Sequence, residues 1–201
     1  MSPRALLLAA AAAAVALGVC GCDKLFAPAK GPFTGIDVTG GEMGGELRLT
    51  DHNGSPRTLA DFRGKVVLVV FGFTQCPDVC PTTLADLAST MKLLGDRARE
   101  VQVLFVTVDP KRDTPELLRQ YVTAFHPEFL ALHGDAAATS KATRDFKVYA
   151  QEQPGKTAGS YTVNHSVQVF VMDRAGKARL LLPPNTPPAA MAGDLKVLLN
   201  S

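Results

Sequence analysis

The chain contains 201 residues, of which 46% are hydrophobic and 20% charged, and its formal net charge at pH 7 is +2. This composition excludes a mainly disordered protein, because disordered chains combine few apolar residues with a high net charge. The near balance of basic and acidic residues gives no electrostatic basis for binding nucleic acid, so we predict no nucleic-acid partner. The length predicts one domain, or at most two.

Residues 1–22 are predicted to direct the chain out of the cytoplasm. A single basic residue precedes an apolar run over residues 5–19, which is short for a membrane span and typical of a secretory signal. The end of this run resembles the processing box of bacterial lipoproteins. Cys22, which follows a glycine, is the predicted lipidation site, although Cys20 leaves the choice open. An ordinary signal peptide and an uncleaved anchor remain alternatives.

All of these interpretations place the remainder of the chain outside the cytoplasm. Asp23 directly follows Cys22 and resembles a signal that retains some bacterial lipoproteins at the inner membrane. We therefore predict a lipid-anchored protein of the bacterial cell envelope, on the periplasmic face of the inner membrane. Residues 23–45 are rich in Gly, Pro, Ala and Thr and are predicted to form a flexible tether. Residues 46–201 are then the folded domain.

The folded domain begins with a predicted β-hairpin extension and continues as alternating strands and helices. A short strand over residues 46–49 leads to an Asn-Gly turn signal. Later strands are predicted at residues 66–71, 101–108, 129–132, 166–172 and 178–182, and helices at 81–94, 114–125, 136–146 and 187–198, with a polar loop at 151–160. This order predicts an α/β sandwich in which a central mixed β-sheet is flanked by helices.

The chemistry-bearing residues lie at the turn between the first buried strand and the first helix. Cys76 and Cys80 are both followed by proline, and Pro81 is predicted to open the helix with Cys80 near its N-cap. Sites of α/β proteins lie beyond the carboxyl ends of parallel strands. The positive end of the helix dipole favours a thiolate, so we predict lowered cysteine pKa values.

The spacing of these cysteines leaves three chemistries open. With Cys20 and Cys22 in the signal region, the domain keeps only Cys76 and Cys80, so a multi-disulfide scaffold is excluded. Three intervening residues still allow a structural or redox disulfide, but they also let both sulfurs face one metal ion. Zinc in a structural site needs four ligands, whereas Cu(I) accepts two thiolates and an imidazole. Copper is therefore the favoured metal.

One of the four histidines is the candidate third ligand. We interpret His52, His126 and His133 as structural, and we expect His52 to be exposed in its turn. His165 is predicted to end the polar loop and begin the strand at 166–172. The turn before that strand would face the cysteine turn, although His165 could instead be a loop histidine bonded to the backbone.

Three blocks of sequence resemble the SCO/SenC family, the copper chaperones of cytochrome c oxidase assembly. They are the nine residues 73–81, which include both cysteines, the segments 106–110 and 112–115, and residues 161–166 with the candidate histidine. The three blocks occur in the order of the family, and the resemblance covers roughly residues 47–199. It implies a thioredoxin-like fold.

The resemblance also implies a ligand set and a partner. Copper, as Cu(I), Cu(II) or both, would be bound by Cys76, Cys80 and His165 and delivered to the dinuclear copper site of cytochrome c oxidase subunit II. Other periplasmic copper or thiol carriers would be further partners. Asp78 matches the family and is interpreted as tuning the site or meeting a partner. Asn164 departs from it, because the family usually has Asp there, which puts copper affinity or docking in doubt.

Two other functions remain to be distinguished from copper delivery. A thiol–disulfide oxidoreductase would use Cys76 and Cys80 as a redox-active pair and would keep the cysteines of subunit II or another extracytoplasmic target reduced. A peroxidase of the peroxiredoxin kind shares the fold but uses one low-pKa cysteine. The close cysteine pair and His165 argue against the peroxidase.

Overall fold

The computed structural model describes residues 31–201, and a compact unit runs from Pro32 to Ser201. The predicted signal, the lipidation site at Cys22 and the first part of the predicted tether lie outside the described residues. Within the described residues, no helix combines the length and apolar character that a membrane crossing requires.

The compact unit contains ten strands and four α-helices. The strands are β1 (Ile36–Asp37), β2 (Leu49–Asp51), β3 (Pro56–Arg57), β4 (Val66–Gly72), β5 (Val101–Thr107), β6 (Leu130–His133), β7 (Ala150–Pro154), β8 (Tyr161–His165), β9 (Val169–Met172) and β10 (Ala178–Leu182). The helices are α1 (Val79–Leu94), α2 (Pro115–Thr123), α3 (Ala136–Asp145) and α4 (Pro188–Leu199), with 3₁₀ turns at Leu59–Phe62 and Gly95–Glu100.

Eight of the strands form one mixed sheet in the order β1-β10-β9-β4-β5-β6-β2-β3. Strands β4, β5 and β6 are parallel, while β9, β10 and the outer strands pair antiparallel. Because β4 and β5 are parallel, their carboxyl ends meet at the same edge of the sheet. This edge carries the cysteine turn.

Strand β4 is buried on both faces, and its residues alternate between two halves of the core. Val66, Leu68 and Val70 pack in the half that contains α1, α2 and α4. Val67, Val69 and Phe71 pack in the half that contains residues of α3 and the first 3₁₀ turn. The unbroken apolar run of β4 thus reflects two-sided burial, and the predicted central mixed sheet flanked by helices is confirmed.

The N-terminal part of the unit differs from the prediction in two respects. The β-hairpin extension is present, but its first strand is Leu49–Asp51 rather than residues 46–49. Residues 32–45 of the predicted tether contain β1, which pairs with β10, and the Gly44 N–H donates to the Asp145 carbonyl at 3.0 Å. These backbone hydrogen bonds attach the segment to the folded domain, whereas its Gly-rich composition predicted a flexible tether.

Residues 150–165 form a hairpin, whereas the sequence predicts a polar loop at 151–160. Strands β7 and β8 pair antiparallel in a separate two-stranded sheet, with Ala150 opposite His165. The predicted strand from 166 to 172 is shorter, and His165 ends β8 instead of preceding β9. The hairpin was missed because β7 is polar and mostly exposed, so it lacks the apolar alternation of a half-buried strand.

Candidate metal centre

The turn between β4 and α1 is fixed by a buried carboxylate beneath it. The side chain of Asp113 accepts hydrogen bonds from the Thr74 N–H at 3.2 Å, the Thr74 hydroxyl at 2.6 Å and the Thr107 hydroxyl at 2.5 Å. Thr107 ends β5, so these bonds connect the turn to the neighbouring strand. Cys76 is thereby held beyond the carboxyl end of β4, where the sequence predicted the site.

Helix α1 begins earlier than the prolines indicated. Asp78 is its N-cap, and Cys80 lies in the first turn together with Pro81, whereas the prediction placed the helix start at Pro81. The Asp78 side chain is exposed and makes no capping hydrogen bond with the described helix. Asp78 lies between the two cysteines in sequence, and its predicted role in tuning or docking stays a prediction.

Gly72 leaves the space that the second cysteine occupies. A Cβ atom at Gly72 would lie 2.8 Å from Cys80 Sγ and 2.8 Å from a ring carbon of Phe105. Both distances are shorter than ordinary van der Waals contact, so the last residue of β4 must lack a side chain for Cys80 to adopt this position. Gly72 is not recognisable as a site residue from the sequence, because only the packing around Cys80 reveals its role.

His165 is directed at the sulfurs through a defined ring nitrogen. Its Nε2 atom lies 3.5 Å from Cys80 Sγ, and its Nδ1 atom lies 2.8 Å from the Ser166 carbonyl. A carbonyl can only accept, so Nδ1–H is the donor and a neutral ring presents the Nε2 lone pair to the sulfurs. The Phe73 ring contacts the imidazole edge-on, with centroids 5.8 Å apart. This second contact fixes the orientation of the ring.

The three predicted ligands converge on one point. The ligand atoms of Cys76, Cys80 and His165 all lie within 4.8 Å of one another. Two soft sulfurs and one imidazole nitrogen suit Cu(I) better than the hard cations that prefer oxygen. No cysteine in the described residues forms a disulfide, so both sulfurs are free to act as ligands or in exchange.

The predicted lowering of the cysteine pKa values is wrong for Cys80. Its side chain is only 2% exposed, and burial raises the pKa of its thiol, with the neighbouring Cys76 adding to the increase. Desolvation of the thiolate thus outweighs the hydrogen bond to the Phe73 backbone, which acts in the opposite direction. Burial also lowers the pKa of His165, which keeps the imidazole neutral and able to coordinate.

The remaining predicted residues lie apart from the ligand cluster. Asn164 is exposed, because alternation along β8 turns Val163 and His165 towards the domain and Asn164 towards solvent. His52 is buried rather than exposed, and its Nδ1 atom accepts a hydrogen bond from the Ala131 N–H at 3.1 Å. The interpretation of His52 as structural agrees with this contact, but its expected exposure was wrong.

A charged cluster beside the ligands went unrecognised in the sequence. Arg112 forms an ion pair with the buried carboxylate of Asp109 and donates a hydrogen bond to the Tyr161 carbonyl at 2.9 Å. In the sequence, these residues stand out only as parts of the three blocks that resemble the family. A signal was present, since charged residues that follow a buried parallel strand lie at the edge where sites form.

Comparison with known proteins identifies the family. The sequence profile of the SCO1/SenC family matches residues 37–200. The mitochondrial SCO2 homolog of Danio rerio is 42% identical over 134 residues, which cover 66% of this chain and 48% of the relative. The SCO2-like protein of Rickettsia prowazekii is 37% identical over 137 residues, 68% of this chain and 67% of the relative. The match therefore spans about half the length of the mitochondrial relative.

Solved structures agree with the sequence comparison. The structure of Bradyrhizobium japonicum ScoI with copper bound superposes with a TM-score of 0.73 and 38% identity, covering 78% of this chain and 99% of that one. This similarity confirms the thioredoxin-like fold that the resemblance implied. The profile match extends over almost all of the described unit and includes both cysteines and the histidine, and the chain belongs to the SCO1/SenC family.

Proposed function

We propose that this protein is a membrane-tethered copper metallochaperone that delivers copper to the dinuclear copper site of cytochrome c oxidase subunit II. The convergence of Cys76, Cys80 and His165 within 4.8 Å is the observation that carries the proposal. A similar protein, Bradyrhizobium japonicum ScoI, has a solved structure with copper bound.

The apo site is arranged to exchange protons for copper. Cys80 is a thiol in the metal-free protein because burial raises its pKa, and thiols must lose their protons to become ligands. The Nε2 atom of His165 needs no deprotonation, since the proton of the neutral ring is held at Nδ1 by the Ser166 carbonyl. Copper binding therefore releases protons from the sulfurs, and the copper affinity decreases as the pH falls.

Three protein ligands leave a path for transfer. A Cu(I) ion held by two sulfurs and one imidazole can accept a further thiolate from a recipient protein. Gln75, Pro77 and Asp78 are exposed around the cysteine turn, so a partner can approach from this side. Stepwise ligand exchange then moves the ion between proteins without releasing it into solvent.

A second candidate function is supported by the free and neighbouring thiols. As a thiol–disulfide oxidoreductase, the protein would reduce a disulfide of subunit II or another extracytoplasmic target. The Cys76 thiolate would attack one target sulfur, and the other target sulfur would leave and take up a proton. The Cys80 thiolate would then attack Cys76, release the reduced target and leave the chain with a Cys76–Cys80 disulfide. The proton of Cys80 passes to the departing target sulfur.

Anaerobic titration of the reduced protein with Cu(I) and Cu(II) tests the proposal. We expect one copper ion per chain, loss of tight binding in Cys76→Ser and Cys80→Ser, and the strongest loss of Cu(II) affinity in His165→Ala. His126→Ala is the matched control, since His126 is a domain histidine outside the ligand cluster. Absence of stoichiometric copper binding by the reduced wild-type protein would contradict the proposal.

A copper-transfer experiment distinguishes the two candidate functions. The copper-loaded protein is mixed with a reduced, metal-free subunit II copper domain, and the copper signal of each protein is followed. Delivery predicts a gain of copper in subunit II that fails when His165 is replaced. The oxidoreductase function instead predicts reduction of an oxidised target that survives His165→Ala and fails in Cys76→Ser.

We propose that Cys22 carries lipid that anchors the protein to the periplasmic face of the inner membrane. The small residue before Cys22 and the apolar run before it support this assignment. Membrane fractionation and mass spectrometry of the mature N-terminus test it. Cys22→Ala should release the protein from the membrane, while Cys20→Ala should not; retention of the Cys22 variant would contradict the assignment.

A further inference from the structure

The hairpin of β7 and β8 carries the third ligand without belonging to the central sheet. Its strands pair only with each other among the described strands, while the two cysteines lie on the turn that leaves β4. No strand ladder between the two sheets therefore fixes the distance from His165 to Cys80. Side-chain contacts between the hairpin and the domain must hold the imidazole in place.

Three residues form the main polar contact between hairpin and domain, and we call them the latch: Asp109, Arg112 and Tyr161. Arg112 donates to the Asp109 carboxylate through Nε and to the Tyr161 carbonyl through Nη1 at 2.9 Å. The Tyr161 hydroxyl donates to Asp109 Oδ1 at 2.7 Å. The guanidinium carbon of Arg112 lies 3.7 Å from the centroid of the Tyr161 ring, within the range of a cation–π contact.

The latch also reaches the cysteine turn. The Nη1 atom of Arg112 donates to Gln75 Oε1 at 3.1 Å, and its guanidinium carbon lies 5.7 Å from the Phe73 ring. Phe73 in turn contacts the His165 ring edge-on. One guanidinium therefore contacts both the first residue of β8 and the residue directly before Cys76, and it connects the two parts of the ligand set.

Burial distinguishes the latch from an ordinary surface ion pair. The side chain of Asp109 is 1% exposed and that of Arg112 is 21% exposed. Removing one partner of a buried pair leaves an uncompensated charge, which costs more than the loss of an exposed pair. Lys111 and Glu152 form a second ion pair between domain and hairpin at 2.5 Å, but their side chains are 65% and 50% exposed. Exposed ion pairs of this kind contribute little to stability.

The Tyr161 phenol remains a donor at neutral pH. Burial raises the pKa of Tyr161 to about 12, and the hydrogen bond to Asp109 acts in the same direction. The phenol therefore keeps its proton at neutral pH and can donate it to Asp109.

We propose that Arg112, held by Asp109, is a positioning residue that keeps the hairpin closed and thereby places His165 beside Cys80. This proposal rests on the proposed function only for its consequence for copper; the latch itself is a property of the metal-free protein. Opening the latch removes the imidazole from the site and leaves both sulfurs in place. Cu(II) binding, which depends on the imidazole, then weakens, while two thiolates still hold Cu(I).

The metal-free protein provides the first test. Nuclear Overhauser contacts between the rings of His165 and Phe73 are measured by NMR in the wild type, Arg112→Met, Arg112→Lys and Tyr161→Phe. We expect the contact to disappear in Arg112→Met and to weaken in Tyr161→Phe, which keeps the ring but loses one hydrogen bond. Arg112→Lys keeps the charge and should restore part of the contact. Lys111→Met removes the exposed ion pair between domain and hairpin and the distant approach of Lys111 Nζ to the Tyr161 ring, 5.8 Å from its centroid. It should leave the contact between the His165 and Phe73 rings unchanged.

Copper binding provides the second test. Arg112→Met should lower the Cu(II) affinity by about tenfold or more, as loss of a group that orients a ligand does, and the nitrogen hyperfine splitting of the electron paramagnetic resonance spectrum should diminish. The Cu(I) affinity should change less than about threefold, since both sulfurs remain. Lys111→Met should behave as the wild type in both measurements.

The outcomes separate the latch from the proposed function. An unchanged ring contact and Cu(II) spectrum in Arg112→Met would overturn the latch, and so would equal losses in Lys111→Met. If Arg112→Met does not fold, Tyr161→Phe provides the same test, because a phenylalanine ring preserves the packing. An unchanged ring contact and Cu(II) spectrum in that variant would then overturn the latch. A wild-type protein that binds no copper would contradict the proposed function, while the ring contact in the metal-free variants would still decide on the latch.

Discussion

The Nε2 atom of His165 lies 3.5 Å from Cys80 Sγ, although 85 positions separate the two residues in the chain. Cys80 is fixed by the first turn of α1, whereas His165 ends a hairpin that is not part of the central sheet. The sulfur of Cys80 is therefore held by a helix of the central fold, and the nitrogen ligand is held by tertiary contacts of the hairpin. This division agrees with the proposed function, in which copper is first held and then passed on.

Replacing Gly72 with alanine tests the packing on the sulfur side. The new Cβ would lie 2.8 Å from Cys80 Sγ and from the Phe105 ring, so one of them must move. Overpacking of this kind lowers the free energy of unfolding by about 1–3 kcal/mol. We also expect a weaker Cu(I) complex, because the displaced sulfur no longer faces Cys76 and His165. Urea unfolding and Cu(I) competition titration provide the measurements.

Gly193→Ala is the matched control for that variant. Gly193 lies within α4, where a Cβ would meet nothing within 4 Å. Alanine favours helix by about 0.5–1 kcal/mol over glycine, so this variant should be as stable as the wild type or more so. Unchanged stability and Cu(I) affinity in Gly72→Ala would show that Cys80 does not depend on the absent side chain.

Replacing Asn164 with aspartate tests the departure from the usual family residue. The side chain of Asn164 faces solvent, and the residue pairs with Gln151 across the hairpin. A charge in solvent interacts only weakly with an ion on the other face of the strand, so the copper affinity should change less than about threefold. Competition titration with a chelator measures this. A change of about tenfold would instead indicate that the side chain reaches the site.

The sequence predicted the sulfur side of the site and the central sheet more fully than the nitrogen side. A strand buried on both faces followed by an amphipathic helix places Cys76 and Cys80 by local rules of strand and helix termination. The position of His165 depends on a polar hairpin held by tertiary contacts, which apolar periodicity does not register. The direction of the Cys80 pKa shift depends on burial, and the residues that bury it are distant in the chain.

Removing the Asp113 carboxylate should destabilise the cysteine turn. Asp113→Ala leaves the Thr74 N–H and the hydroxyls of Thr74 and Thr107 without their acceptor, and Asp113 is only 3% exposed. Buried groups that lose their partners cost about 1–3 kcal/mol each, and three groups are affected, so we expect the free energy of unfolding to fall by about 3 kcal/mol or more. Urea unfolding of the metal-free protein measures the loss.

Asp61→Ala is the comparison for Asp113→Ala. Asp61 is exposed and accepts hydrogen bonds from the backbone N–H and the hydroxyl of Thr58 at the start of a 3₁₀ turn. Loss of such a capping interaction costs about 0.5–2 kcal/mol. If Asp113→Ala were no more destabilising than Asp61→Ala, the buried carboxylate would not be what secures the cysteine turn.

His52 should make the stability of the metal-free protein depend on pH. Burial lowers the pKa of His52; Arg119 and His133 act in the same direction, and Asp51 opposes them. The unfolded chain therefore binds a proton more readily than the folded protein. The contribution of His52 to the free energy of unfolding is fully present above the unfolded pKa of about 6.5 and is lost as the pH falls below it. The slope for this group is at most about 1.4 kcal/mol per pH unit.

His52→Asn isolates this contribution. The amide oxygen of asparagine can accept the hydrogen bond that Nδ1 of His52 receives from the Ala131 N–H, but it does not titrate. We expect the free energy of unfolding to decrease less between pH 7.5 and 5.5 in the variant than in the wild type, in urea titrations of both. The pKa of His165 is also lowered, but its effect on the pH dependence of stability is the same in both proteins and cancels when the two are compared. Equal slopes would contradict the assignment, because the buried ring would then be protonated as readily as in the unfolded chain.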